Sequence, residues 1–430
     1  MSDICAAIGM SRKWDAREAG REVVRNTIKQ LDTPPNFFLL FSTIHYKDHG
    51  GFQEFLNGVW DVLPKNTPLI GGTIAGFINN YGCYTRGATA LAVSYPNMNI
   101  SIGYGKNTKR NPVKAAKSCI KMINENSFNS HYEDRFLLDF ISGPGVIRMP
   151  GGKMKKVVKS GITSKFIKQL LGISQVLFQK GLGREDEIFE VMVEKLPNDY
   201  MILGTSIDDY KGLDNYQFYN SEIFTNSTVN LAISTDLDFD VYSNHGMEKT
   251  EINFEITKIS KDKHIVYEIN NKPAVPELLR LMNWREDFLN EDTMAHTIMY
   301  YPISFKRNNR EVPAVMPFIL KDSIMIPCVI DKGRSSILTT SGKNLLGAIK
   351  NNLNYFNDIE PSFGLSSACM TILQSLGYKV SEVQLELKKY FGDKPFIMFV
   401  CAGEGSYSPE KGINYANMSF NTAIFGKKNS

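Results

Sequence analysis

The segment Cys401-Ala402-Gly403-Glu404-Gly405 sets a thiol three residues before a carboxylate inside a glycine-rich turn, with Asn417 in the strand that follows. In one reading Glu404 accepts a ligand ammonium, Cys401 packs below it and Asn417 donates from the next strand. In another, Cys401 is a nucleophile, which requires a histidine base within reach; no histidine lies near it in sequence. In a third, the turn is only structural. A second glycine turn, Gly71-Gly72-Thr73-Ile74-Ala75-Gly76, has two readings as well. Gly71, Gly72 and Gly76 can form a backbone-amide cradle for a carboxylate or phosphate, with the Thr73 hydroxyl adding a hydrogen bond. They can equally be a tight strand exit that needs positive φ. No lysine follows as in a Walker A loop.

The third turn, Gly204-Thr205-Ser206-Ile207-Asp208-Asp209, adds a carboxylate pair with Asp214 nearby. These acids can hold a cation or an amine, although aspartates after a strand are ordinarily polar turn residues, and EF-hand spacing is absent. His45 and His49 stand four apart but make an incomplete zinc set, so no metal is expected. Lys153, Lys155, Lys156 and Lys159 form a basic stretch in a glycine-rich loop, Gly143 to Gly161, which reads as a solvated insertion.

The elements that position these turns recur. Asp15-x-x-Glu18 has the form of a capping box, and Ala16, Ala19, Val23, Thr27, Ile28 and Leu31 continue at helical spacing. Phe37 to Ser42 is apolar throughout its first five positions, as in a strand buried on both faces beneath helices. Phe52, Phe55, Leu56, Val59 and Leu63 form a helical stripe stopped by Pro64, and the glycine strand and a closing strand, Gly87 to Tyr95, follow. A second copy runs through Phe136 to Ile141, the stripe Ile188, Val191, Met192 and Leu196, the strand Met201 to Gly204 and the strand Thr228 to Thr235. A third runs from Ser362 through a helix capped by Ser381-x-x-Gln384, the strand Phe396 to Ala402 and a closing segment Ala416 to Phe425. Pro64, Pro197 and Pro395 precede the three glycine strands, which marks an internal repeat. Glu251 to about Ser341 alternates instead, as antiparallel strands do.

The fold class expected is therefore α/β, with two domains, internally repeated strand-helix-strand-strand units, helices packed on mixed sheets, and an antiparallel β insertion in the C-terminal half. The division falls between residues 1–243 and 244–430, a length that suits two cores. Forty-nine basic against 45 acidic residues give a net charge of +4, which gives no strong electrostatic reason to expect nucleic-acid binding. Six scattered cysteines without CxxC pairs read as reduced thiols, and the chain shows no signal peptide or bilayer-spanning apolar run. A cytoplasmic protein without membrane or nucleic-acid partners is expected.

The same residues resemble the FIST family of sensory domains. The N-terminal FIST pattern is similar to the helix from Ala19-Gly20, the turn Pro68 to Gly76, and Gly87-x-x-x-Ala90-Leu91-Ala92-Val93-Ser94. The C-terminal pattern is similar to Ile256-Thr257, His264-x-Val266-Tyr267-Glu268-Ile269-Asn270, Pro273-Ala274, Cys401-x-Gly403-Glu404 and Asn417-x-Ser419. Ala416 and Met418 stand where the family has histidine and glutamine, and Gly204-Thr205 replaces a glycine pair, so the ligand can differ from that of relatives. The resemblance implies small-ligand binding, with amino acids as candidates, and no established catalytic residues; no cofactor is expected. The candidate ligand contacts read from the residues are Gly71, Gly72, Thr73, Gly76, Gly204, Thr205, Asp208, Cys401, Gly403, Glu404 and Asn417. Output then passes to a signalling protein; an enzyme using Cys401 and Glu404, or a protein-binding scaffold, are the alternatives.

Overall fold

The structure, a computed structural model, describes residues 4–126, 132, 134–145, 156–208, 214–293, 300–307 and 310–428. The first repeat begins with β1 (Cys5–Ser11) and α1 (Ala16–Ile28), and Asp15 caps that helix by accepting from the Glu18 amide. It continues through β2 (Phe37–Ser42), α2 (Gly51–Trp60) and the glycine strand β3 (Leu69–Thr73). A hairpin, β4 (Gly76–Asn79) and β5 (Gly82–Tyr84), precedes the closing strand β6 (Ala88–Ser94).

The second repeat has β7 (Met98–Lys106), α3 (Pro112–Asn126) and β8 (Arg135–Ser142). An insertion with β9 (Val157–Val158) and α4 (Gly161–Leu177) comes before α5 (Glu185–Lys195) and the glycine strand β10 (Tyr200–Ile207). Of the lysine stretch read from the sequence, Lys153 and Lys155 lie outside the described residues. The hairpin β11 (Gln217–Tyr219) and β12 (Glu222–Phe224) then leads to β13 (Ser227–Thr235).

The third repeat opens with β14 (Asp238–Asn244) and is interrupted by a β-rich insertion. That insertion contains β15 (Met247–Ile259), β16 (Ile265–Ile269), β17 (Lys272–Pro273), α6 (Ala274–Met282), β18 (Ile303–Arg307) and β19 (Arg310–Ala314). It ends with β20 (Phe318–Leu320), β21 (Ser323–Met325) and β22 (Gly333–Thr340). The repeat resumes with α7 (Gly342–Asn354), β23 (Ile359–Cys369), α8 (Met370–Leu376), α9 (Val380–Phe391) and the glycine strand β24 (Phe396–Cys401). Ser381 lies inside α9 and donates to the Tyr378 carbonyl, so the expected capping box is not formed. The hairpin β25 (Glu404–Ser408) and β26 (Gly412–Ala416) and the strand β27 (Phe420–Lys428) finish the chain.

Each repeat builds one mixed sheet but gives its hairpin to another. The strand orders are β1-β6-β2-β3-β11-β12, β7-β13-β8-β10-β25-β26 and β14-β27-β23-β24-β4-β5. The second repeat's hairpin thus completes the first sheet, the third completes the second, and the first completes the third. The junctions are equivalent: Gly72 opposes Gln217, Thr205 opposes Glu404, and Val400 opposes Gly76. The strand–helix–strand order was legible, whereas the cyclic exchange is set by pairings between distant segments and leaves no local signal.

The inner faces of the three sheets share one core. Phe41, Phe140 and Phe399, one from each sheet, meet with ring centroids 5.0, 4.4 and 5.6 Å apart. Outer-face residues alternate with these and lie under helices, Phe38 and Leu40 beneath α1 and α2, Leu137 and Ile202 beneath α3 and α5. That alternation explains why β2 reads as apolar throughout: both of its faces are buried. The β-rich insertion forms its own sheet, β19-β18-β22-β15-β16-β21-β20-β9, in which β9 of the second repeat pairs in parallel with β20.

Truncating a ring at the shared core removes contacts from all three sheets at once. Phe140→Ala is expected to lower the unfolding free energy by about 3–5 kcal/mol in denaturant titration. Tyr378→Ala, at a side chain 87% exposed, is expected to change it by less than about 0.5 kcal/mol.

Candidate functional site

The C-terminal ends of the glycine strands converge, and the main-chain amides after the first of them are hydrogen-bonded. After the Gly71-Gly72 pair, Thr73 N donates to Tyr216 O at 2.9 Å, Ile74 N to Ser42 O at 2.9 Å and Ala75 N to Val400 O at 3.0 Å. The Thr73 hydroxyl accepts from Tyr216 N at 3.0 Å. The Thr73 and Ala75 amides therefore serve the joints to the second and third repeats, and the Ile74 amide bonds within the first repeat. The glycines have a packing reason too: a Cβ on Gly71 would lie 1.8 Å from Leu40 O, on Gly72 2.5 Å from Tyr216 O, and on Gly76 2.8 Å from Tyr84 O. At Gly204 it would meet the Phe189 ring at 2.7 Å. A substitution at Gly72 consequently reports on packing rather than on a ligand.

Thr205, Cys401, Gly403, Glu404 and Asn417 do come together. The Thr205 hydroxyl donates to Gly403 O at 3.4 Å, and Asn417 Nδ2 to Ala402 O at 3.2 Å. Glu404 is fully buried. Its Oε2 accepts from Ser419 N at 3.3 Å and Ser419 Oγ at 3.4 Å, and its Oε1 from Cys401 Sγ at 3.5 Å. Burial pushes its pKa up to about 8, against hydrogen bonds that pull the other way. Burial and the neighbouring Glu404 charge also raise the Cys401 thiol well above its usual range, which disfavours the thiolate a nucleophile needs. The Asn417 Oδ1 and the Tyr415 hydroxyl are buried with no hydrogen-bond partner among the described residues.

Asp208 belongs to a second cluster that the sequence did not reveal. Lys109, in the loop between β7 and α3, is only 1% exposed. Its Nζ donates to Ser142 Oγ at 3.0 Å and Asn226 Oδ1 at 2.9 Å. Ser142 Oγ donates to Asn215 Oδ1 at 2.7 Å, which also accepts from Gln217 Nε2 at 3.1 Å. Glu185 and Asp208, both buried, are close enough for their charges to act on Lys109. Burial dominates all the same and lowers the lysine to about 8, while burial raises Glu185 to about 7. Ser206 joins the two clusters, since its Oγ donates to Glu185 Oε1 at 2.9 Å and its N to Gly403 O at 2.9 Å.

Nothing near Lys109 in the sequence distinguishes it from a solvated lysine, and Glu185 reads as an acid in the first turn of a helix. Aligning the repeats strand by strand was the available signal, because Ser142 sits at the end of β8. His45 lies 3.1 Å from Thr43 Oγ1 and His49 packs its ring on Trp14. Among the described residues no group of three His, Cys, Asp or Glu is placed to hold a metal ion. Asp209 lies outside the described residues. No helix among them is long and apolar enough to cross a membrane.

The N-terminal end of α5 connects this cluster to the β-rich insertion. Asp186, next to Glu185, accepts from Val329 N at 2.6 Å and pairs with Arg307 of β18 at 3.5 Å, while Arg307 also reaches Glu190 at 2.6 Å. Arg307 and Asp186 are both nearly inaccessible.

The model of the FIST N domain matches residues 8–272. An uncharacterized protein of Methanocaldococcus jannaschii is 30% identical over 138 residues, which is 31% of this chain and 26% of that protein. The match thus spans about a quarter of that relative. Cyanuric acid hydrolase from A. caulinodans is similar at 9% identity over 99% of this chain and 100% of its own, with a TM-score of 0.36, a level that carries no argument.

The buried acids give a signed pH prediction. Glu404 has a folded pKa of about 8 against an ordinary 4.5, so between those values the native state binds the extra proton. Its contribution is fully present below pH 4.5 and is lost as pH rises through 8. Glu404→Gln is expected to flatten the decline of unfolding free energy over that window, by up to about 1.4 kcal/mol per pH unit. Denaturant titrations at several pH values measure it.

Proposed function

Because the chain belongs to the FIST family, whose domains are small-ligand sensory domains, we propose that it senses a small carboxylate-bearing metabolite, best fitted by an amino acid. The observation that carries this is the buried Lys109 ammonium among Ser142 and Asn226, with the Glu185 and Asp208 carboxylates near it. A zwitterion complements that arrangement, its carboxylate toward Lys109 and its ammonium toward the two acids. In this reading Thr205, Cys401, Gly403, Glu404 and Asn417 form the adjoining wall, joined through Ser206, whereas Gly71, Gly72, Thr73, Gly76 and Gly204 serve strand packing.

Occupancy is relayed through α5. A ligand that draws Glu185 also loads Asp186, which holds Arg307 and the Val329 amide of the β-rich insertion. The link crosses the proposed division between residues 1–243 and 244–430, and a signalling protein reads the change. Six free cysteines, four of them buried, suit a reducing cytoplasm.

A thermal-shift screen of amino acids, keto acids and nucleotides tests the reading. A ligand at a hundred times its dissociation constant adds about 2.7 kcal/mol of stability. The expected result is a shift with one or more amino acids that disappears in Lys109→Met. A screen that shifts nothing, together with a stable protein complex in pull-downs, would favour a scaffold instead. Hydrogen exchange is expected to slow in α5 and β18 together on ligand addition; slowing confined to the Lys109 loop would contradict the relay.

A further inference from the structure

We propose that Lys109 and Ser142 form a serine–lysine nucleophilic pair able to accept the acyl group of small carboxylic esters and amides. The geometry meets the two requirements for an activated serine, a base within hydrogen-bond reach and a third group that orients the base. Lys109 Nζ lies 3.0 Å from Ser142 Oγ, and Asn226 Oδ1 holds the same nitrogen at 2.9 Å. Ser142 ends β8, a strand whose backbone pairs on both sides with β10 and β13, so its hydroxyl is carried on a rigid element. The hydroxyl proton now faces Asn215 Oδ1 at 2.7 Å. That oxygen also accepts from Gln217 Nε2 at 3.1 Å, so it keeps a donor when the proton turns toward a neutral Nζ.

Burial brings the neutral amine within reach just above neutral pH. Burial is the dominant influence on Lys109, Lys180 acts in the same sense, and Glu185 and Asp208 oppose it; the result is a pKa of about 8. In acyl transfer, Ser142 Oγ bonds to the carbonyl carbon while its proton passes to Lys109 Nζ. The bond from that carbon to the leaving oxygen or nitrogen then breaks, and the leaving atom takes the proton from Nζ. Water repeats the sequence on the acyl-serine, giving a carboxylic acid and restoring both groups.

Gly145 and Gly181 exchange two main-chain hydrogen bonds as an isolated bridge, and a Cβ on Gly145 would stand 3.8 Å from Lys109 Cε and 3.4 Å from Lys180 Cδ. Gly145 thus stands close to both the Lys109 stem and the half-exposed Lys180. The inference shares its residues with the sensing reading but does not require ligand relay.

Labelling with a fluorophosphonate ester, followed by peptide mass spectrometry, tests it on the full chain. A phosphonyl adduct on Ser142 is expected, forming at least about tenfold faster at pH 9 than at pH 6.5, since the labelled fraction follows the neutral amine. Ser142→Ala is expected to abolish it, and Lys109→Arg, which keeps the charge but cannot act as base, to slow it by at least about a hundredfold. Circular dichroism checks that the variants fold. Absence of a Ser142 adduct in folded protein, an adduct on other residues only, or equal labelling in Lys109→Arg would overturn the inference. If the Lys109 variant does not fold, the wild-type pH profile decides, and a flat profile overturns it. An amino-acid thermal shift without Ser142 labelling removes the dyad and leaves sensing standing; labelling without a shift does the reverse.

Discussion

Everything in this fold depends on the main-chain hydrogen bonds by which each repeat's hairpin completes a sheet begun by another repeat. Gly72 against Gln217, Thr205 against Glu404 and Val400 against Gly76 are three versions of one joint. Closing all three around a shared core demands that backbone approach backbone at the strand ends. Glycine is needed where a side chain would meet a carbonyl, as at Gly71 beneath Leu40. The joints also carry the first residue of each hairpin into the interior, which is how Glu404 and Gln217 come to be buried.

That burial creates the electrostatic character of the molecule. Polar groups at the strand ends lie in a low-dielectric interior, where charges cost much unless paired. Buried acids elsewhere in the second repeat behave alike: Asp139 within β8 and Glu185 at the start of α5, like Glu404 at the start of β25, hold their protons to higher pH, to about 7, 7 and 8. Lys109 responds in the opposite direction, and its ammonium is satisfied by Ser142 and Asn226. The second repeat gathers the most chemistry because its hairpin begins with Asn215-Tyr216-Gln217 beside the end of β8. The equivalent joint of the third repeat is closed by Glu404, Cys401 and Ser419. Repetition of backbone thus coexists with divergence of side chains, and the site follows the divergence.

The sequence made the repeats legible through local physics. Proline stops at Pro64, Pro197 and Pro395, apolar runs such as Phe37 to Phe41, and helical stripes each depend on neighbours in the chain. Thr205, Cys401, Gly403 and Glu404 stand in turns of the same pattern, with Asn417 in the segment that follows, so the sequence itself groups them. Lys109, Ser142, Glu185 and Asn226 are not so grouped, because their roles arise from contacts across 21 to 117 positions. The strongest motif, Gly71-Gly72-Thr73, drew attention to a joint whose amides after the glycine pair are spent on carbonyls of Tyr216, Ser42 and Val400. A glycine turn announces close approach; what approaches is decided by the tertiary fold.

The central claim is that a desolvated lysine at the junction of repeats is the anchor for a carboxylate. Nuclear magnetic resonance of the chain labelled at lysine Cε, with the Lys109 signal assigned through Lys109→Arg, measures its titration directly. The account predicts a midpoint near 8 that moves upward when a bound carboxylate ligand stabilises the charged form. A midpoint at the ordinary 10.5, unmoved by every amino acid and keto acid tried, would contradict it.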